Sequence, residues 1–249
     1  MSNYEFGSRI RYSETGQDGR LTIESLINYF QDCSTFQTES SGAGLDALRE
    51  QNLAWMLMSW QIDIQRLPKL YEEVRTGTIP YELKGMMGLR NYYMETADGE
   101  TLAQANSIWV LMNTQTMAPE RITDEHKSHY KLGAQLDMNY ADRKIRFDAN
   151  LPYEEATPVQ IHANQLDSNH HVNNGRYVRM ALDAVVEKFL NAEQAETAET
   201  LVRHVQAEYK KQAHLGDELM PRIYTLDEQT VIVDLILGEE SCCTVKIGI

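Results

Sequence analysis

Ile161-His162-Ala163-Asn164-Gln165-Leu166-Asp167-Ser168-Asn169-His170-His171-Val172 runs through Asn173-Asn174-Gly175-Arg176-Tyr177 into Val178-Arg179-Met180-Ala181-Leu182, and carries more amide and titratable side chains than an ordinary loop needs. From Tyr177 onward, Tyr177, Val178, Ala181, Leu182, Val185, Val186, Phe189 and Leu190 recur at the spacing of a helix that buries one stripe. That helix begins near Asn173, since an Asn side-chain oxygen at Asn173 or Asn174 can accept from an orphan N–H of its first turn. The residues before the motif, Val159 to Leu166, alternate loosely and read as a strand or extended segment.

The stretch has a counterpart near the N-terminus. Ile10-Arg11-Tyr12-Ser13-Glu14-Thr15-Gly16-Gln17-Asp18-Gly19-Arg20-Leu21 lies over Ile161 to Val172 without a gap, at an offset of 161 − 10 = 151. Further on, Gln61-Ile62-Asp63-Ile64 lies over Gln206-Ala207-Glu208-Tyr209 at 206 − 61 = 145, with Glu73-Val74 over Glu218-Leu219. Each half therefore orders an extended segment, a turn, a buried helix and a run of strands. A helix with one strand before it and several after is buried if the sheet curls around it, and two such units can join their sheets edge to edge. The expected fold class is α+β, a tandem (double) hotdog in which each half is a long helix wrapped by an antiparallel sheet.

Taken in order, Tyr4 to Ser13 reads as extended, and a helix follows on Leu21, Ile23, Leu26, Ile27, Phe30 and Cys33, with Thr22 as a candidate cap. Leu45 to Gln51 is a short helical turn; the glycines before it are too few for a phosphate loop. Strands are expected over Ala54 to Gln65, Glu73 to Tyr81, Leu83 to Thr96 and Leu102 to Asn113. Residues 114–156 hold Pro119, Pro152, many charges and one short helical stretch near Asp124 to Tyr130, and read as a long connection. The expected division is 1–113, 114–156 as linker, and 157–249.

Composition narrows the function. The net charge of −14 disfavours a nucleic-acid partner, whose phosphates most of this surface would repel. No apolar run approaches the ~18 residues of a membrane span. Met1-Ser2-Asn3-Tyr4-Glu5 lacks the basic and apolar regions of a signal peptide, so a cytoplasmic location is the expectation. Cys33, Cys242 and Cys243 form neither a metal-ligand spacing nor a disulfide framework, and no metal or other cofactor is expected. The chemistry then rests on Asp167, Asn169 and His171, which put a carboxylate, an amide and an imidazole in one neighbourhood, and on backbone N–H groups at the start of the helix after Asn173.

With the repeat and the Asp-x-Asn-x-His-x-Asn-Asn-x-x-Tyr motif both in hand, the chain resembles the acyl-ACP thioesterases of plant plastids and bacteria over nearly its whole length. Weaker marks are Asp18-Gly19-Arg20-Leu21-Thr22, Phe30 to Ser34, Ala54-Trp55 to Trp60-Gln61-Ile62, Arg90-Asn91-Tyr92, and Ala207-Glu208-Tyr209-Lys210-Lys211-Gln212-Ala213. The resemblance implies hydrolysis of fatty acyl-acyl carrier protein, with catalytic groups on Asp167, Asn169 and His171; spacing leaves open whether His171 or Asp167 is the base. Plant members carry a Glu-Cys pair where this chain has Gln212-Ala213, so water rather than a thiolate is the expected nucleophile. Gln212, Ala213, Asn173 and Asn174 are candidates for the site lining.

The resemblance also implies that the first half, which has Gly16, Asp18 and Arg20 in place of the trio, supplies the acyl tunnel. Trp55, Met58 and Trp60 are tunnel candidates, along with Met56 and Trp109. An acidic acyl carrier protein would need a local basic patch, for which Arg176, Arg179, Arg203, Lys210 and Lys211 are candidates. The rival readings are an acyl-CoA thioesterase and a non-catalytic hotdog acyl-binding sensor. The chain could act as a monomer or a homodimer.

Overall fold

The computed structural model describes residues 4–249; Met1, Ser2 and Asn3, which open the first expected unit and carry part of the signal-peptide reading, lie outside the described residues. The first half runs β1 (Tyr4–Arg9), α1 (Ile23–Ser40), α2 (Leu45–Glu50), β2 (Leu53–Ile64), β3 (Glu73–Lys84), β4 (Met87–Thr96) and β5 (Thr101–Asn113). The connection holds β6 (Ala118–Pro119), α3 (Asp124–Ser128) and β7 (Glu154–Glu155). The second half runs β8 (Val159–Gln160), α4 (Asn174–Phe189), α5 (Ala192–Leu201), β9 (His204–Tyr209), β10 (Glu218–Thr225), β11 (Thr230–Leu237) and β12 (Glu240–Gly248).

The strands form one sheet whose main path is β1-β3-β4-β5-β2-β9-β12-β11-β10-β7. That order mirrors itself about the β2–β9 seam, because each half contributes the same arrangement turned by a half rotation. At the seam Gln61 pairs with Gln206, and 206 − 61 = 145 is the repeat offset itself, so a pseudo-two-fold axis passes between these two residues. The fold is a tandem hotdog, as the sequence leads one to expect.

Alternation across the pleat sorts the two faces. On the inner face Trp60, Ile62, Val205 and Ala207 are wholly buried, and they join one core that continues through Phe30 of α1 and Val178 and Ala181 of α4. The larger of these, such as Ile62, Val205 and Phe30, contribute roughly 1.5–3 kcal/mol each when fully buried. The two central helices lie against each other, tied by Asn174 Nδ2 donating to Gln31 Oε1 at 2.7 Å and by Arg176 paired with Glu24 at 3.1 Å.

The outer face carries the connection. Residues 114–156, expected as a long connection with a short helical stretch near Asp124 to Tyr130, form a strap across the sheet, part of whose backbone is satisfied by side chains rising from it, and the helical stretch is there as Asp124–Ser128. Gln61 Nε2 donates to the Asn139 carbonyl and Gln206 Nε2 to the Asp142 carbonyl, both at 2.5 Å, and the Ile145 N–H donates to Glu208 at 3.1 Å. A buried peptide group left unmet would cost about 1–3 kcal/mol, so these partners hold a strap that has few apolar anchors of its own. Its apolar anchors include Ile122, packed with Leu48, Leu53 and Leu111, and Ile145, Phe147 and Leu151, packed on Tyr224 and Ile232.

Several boundaries differ from the sequence reading. The extended segment at Tyr4 is a strand only to Arg9, and of Val159 to Leu166 only Val159–Gln160 is a strand; the 3-10 turns Tyr12–Glu14 and Ala163–Gln165 take over at equivalent places. Their reason is local: Glu14 accepts from the Arg11 N–H and Gln165 from the His162 N–H, closing each turn with a side chain. The β3–β4 hairpin continues to Lys84, because a two-residue corner of Gly85, at φ +64°, and Met86 suffices to turn the chain. Helix α5 was not expected, since none of its residues is buried and it has no apolar stripe to read. No helix among the described residues is long and apolar enough to cross a membrane.

Candidate active site

The motif turn is closed on itself before it packs on anything else. The Asp167 N–H donates to the His171 carbonyl at 2.8 Å and the His170 N–H to the Asp167 carbonyl at 3.0 Å. Asp167 Oδ1 accepts from the Asn169 N–H at 2.8 Å and the His171 N–H at 3.4 Å. The carboxylate thus holds Asn169 and His171 through their backbones. His170 takes the corner at φ +63°, a left-handed conformation that costs an L-residue roughly 1–2 kcal/mol. In the first half the same turn joins the Gly16 N–H to the Arg20 carbonyl at 2.8 Å, and Gly19 takes the corner at φ +71°. The repeat is therefore conserved in the backbone while its side chains differ.

The motif leads into α4 as the capping pattern requires. Asn173 is the N-cap, accepting the Gly175 N–H at 2.8 Å, and Asn174 reaches Gln31 of α1; both have structural partners. The loop after β9 lies alongside. The Val172 N–H donates to the Ala213 carbonyl at 3.1 Å, and the Ala213 N–H donates to the Tyr177 hydroxyl at 2.8 Å. Ala213 is wholly buried, whereas Gln212 is half-buried.

These bonds bring the His171 and His214 rings to 5.1 Å, inclined at 70°. His171 is half-buried, and its pKa lies below the ordinary histidine value mainly because burial disfavours the charged ring; His214 and His170 push the same way and Asp167 opposes them. A lowered pKa leaves the imidazole neutral at pH 7 and able to accept a proton.

A cavity of about 280 Å³ opens in the first half, between α1, α2 and the curled strands. Its wall includes Ser34 and Thr38 of α1, Leu48 of α2, Ala54 and Trp55 of β2, Gly88 and Arg90 of β4, Trp109 and Tyr130. Among the described residues on that wall, only Asn169 comes from the second half. Arg90, 7% exposed, donates to Gln37 and, at 3.1 Å, to Thr78. Of the expected tunnel residues Trp55 and Trp109 line this cavity. Trp60 instead lies in the core, with its ring 4.8 Å from that of Tyr92, and neither Met56 nor Met58 is on the wall.

The expected docking cations are largely engaged within the chain. Arg176 pairs with Glu24, Arg179 with Asp183 at 2.7 Å and Glu199 at 2.8 Å, and Lys211 with Glu240. Arg203 donates to the Thr200 carbonyl at 2.6 Å, and Lys210 to Thr244 at 2.7 Å and Ser241 at 3.0 Å. The sequence reading did not single out His214 or Tyr130. His214 could have been noticed because it falls over Lys69 at the second offset, 214 − 69 = 145, whereas Tyr130 sits in the connection and has no repeat partner to flag it.

Comparison with known proteins covers both halves. The family described as the acyl-ACP thioesterase N-terminal domain matches residues 2–130, and the acyl-ACP thioesterase C-terminal domain matches residues 149–235. An oleoyl-acyl carrier protein thioesterase of Arabidopsis thaliana is 22% identical over 251 residues, covering 94% of this chain and 66% of that protein. The structure of an acyl-ACP thioesterase from Bacteroides thetaiotaomicron superposes with a TM-score of 0.86 at 23% identity, covering 98% of this chain and 96% of that one. A 12:0-ACP thioesterase of Umbellularia californica gives a TM-score of 0.80 at 19% identity, covering 98% and 96%. The chain spans between 48% and 66% of the length of the first curated relatives it matches.

Proposed function

The chain belongs to the acyl-ACP thioesterase family, and from that premise we propose that it hydrolyses fatty acyl-acyl carrier protein to free fatty acid and carrier protein. Residues 1–113 would hold the acyl chain, 157–249 would bring the reacting groups to it, and 114–156 would strap the two together. One observation carries the reading: Asn169 of the second half stands on the wall of the first-half cavity. An acyl chain lying there would present its thioester to the motif.

In the proposed reaction His171 takes a proton from water as the water oxygen bonds to the thioester carbon. The carbonyl electron pair moves onto oxygen, where the Asn169 amide N–H groups hold the developing charge. Collapse of that intermediate breaks the C–S bond, and the leaving thiolate takes the proton back from the imidazolium. Asp167 keeps both residues in place through the turn. Burial supports water over a cysteine: all three thiols are buried, Cys33 is pushed up to about 12, and Cys242 and Cys243 are also raised. A folded variant with Cys33, Cys242 and Cys243 all changed to Ala or Ser should therefore keep wild-type kcat; loss of activity with the fold intact would overturn the water mechanism.

The expected partner is the acyl carrier protein, and the test compares it with coenzyme A. Acyl-ACP should be hydrolysed with a lower KM than the same acyl group on coenzyme A; the reverse order would favour the acyl-CoA reading, and hydrolysis of neither would favour the sensor. Among the described residues Arg203 and Lys210 have no carboxylate at ion-pair distance, so we assign docking chiefly to these two exposed cations. Reversing both to Glu should raise KM for acyl-ACP several-fold and leave a small acyl thioester unaffected. Added salt should weaken the wild-type interaction, since exposed charges are screened over about 10 Å at 0.1 M. Indifference to both would move docking elsewhere.

A further inference from the structure

The offset repeat shows what has changed at the site as well as what has been kept. In the first half Arg20 and Lys69 face each other across an isolated antiparallel bridge, next to the Leu21 N–H donating to the Pro68 carbonyl at 2.8 Å. In the second half the Val172 N–H and Ala213 carbonyl make the matching bond at 3.1 Å, and the facing residues are His171 (171 − 151 = 20) and His214 (214 − 145 = 69). A pair of permanent cations in one half is a pair of titratable rings in the other. Their centroids lie 5.1 Å apart in an edge-to-face arrangement.

We propose that His214 is a positioning residue for His171, holding in place the ring that activates water. The inference rests on the reading of His171 as the base, and it supplies a partner in the loop after β9, next to the buried Ala213. Edge-to-face contact fixes the plane of His171, which the backbone bonds from Asp167 alone leave free to turn about its side-chain torsions. The backbone of His214 is held in the loop by its N–H donating to Asp217 Oδ2 at 2.8 Å. The titratable and charged groups that act on His171 are Asp167 and His170 of its own turn and His214 of the facing loop. Asp167 favours the imidazolium and both histidines disfavour it. Of the two histidines, only His214 has its ring against that of His171.

The test is a titration of the His171 ring by NMR in the full chain, together with the pH profile of kcat/KM. His214→Ala removes the facing ring and opens that of His171 to water, so the His171 midpoint and the acid limb should both rise, by up to about half a pH unit, the effect of one unit charge at this distance in a water-like dielectric. His214→Lys copies the first half and places a permanent cation there, so both should fall. KM should change little in either variant, and because His214 is exposed the amide spectrum should remain that of the wild type. If neither variant moves the midpoint while His171→Ala abolishes activity, His214 has no such role and the assignment of His171 stands. If His171→Ala retains wild-type kcat, the base lies elsewhere and both assignments fall.

Discussion

Asn169→Ala and His171→Ala should each lower kcat by ~10²-fold or more with little change in KM, the range expected for losing an oxyanion donor or a general base. Neither change should unfold the chain. Asn169 is exposed and makes its backbone bond to Asp167 whatever its side chain, and His171 is only half-buried. The internal control is the first half, where Asp18 accepts from the Arg20 N–H at 2.9 Å in a turn of the same shape. Asp18→Ala removes a turn cap and should cost about 0.5–2 kcal/mol of stability, by analogy with other caps, while kcat stays near wild type. The asymmetry is the informative result: an equal drop in kcat at Asp18 and Asn169, both proteins folded, would mean that the first-half turn also touches the reacting atoms.

The second large effect concerns the cavity. Ala54 lies on its wall between Leu53 and Trp55, and Ala54→Trp should fill part of the space without disturbing the motif turn. Burial of one methylene contributes about 0.8 kcal/mol, so displacing four of them would forfeit roughly 3 kcal/mol, or ~10²-fold in kcat/KM for a long acyl chain. The shortest acyl chain that the wild type hydrolyses should be unaffected, because it never reaches the indole. A chain-length profile that does not move in a folded variant would show that the acyl group lies elsewhere, and would detach Asn169 from the role given to it.

The same reasoning explains why fold and site were unequally legible. The sequence alone determined the tandem architecture: residues 151 and 145 positions apart carry matching patterns, and the structure returns those offsets in the two motif turns and in the Gln61–Gln206 pair on the axis. It also determined where α1 and α4 begin, because Thr22 and Asn173 are caps whose partners lie within three residues. Signals of this kind are local or periodic, so they survive in a one-dimensional string. Helix α5 was missed because its signal is neither: an exposed helix without an apolar stripe leaves no period to read.

Only the tertiary structure decided which side chains meet. Trp55 and Trp60 stand five residues apart on one strand, and the extra residue at the register shift between Leu57 and Ser59 turns both toward the same face; what separates them is what lies above each, the cavity beside Leu48 for Trp55 and the rings of Phe30 and Tyr92 for Trp60. Arg176, Arg179 and Lys211 look like free cations in the string, but carboxylates up to 152 residues away engage them. Asn169 faces a cavity built from residues 34–130 because one shared sheet brings the halves together, and His171 meets His214 across 43 positions because the Val172 N–H bonds the Ala213 carbonyl. Local propensity carries no record of such separations; they follow from the seam register and the packing of α1 on α4, which exist only once the whole core has closed.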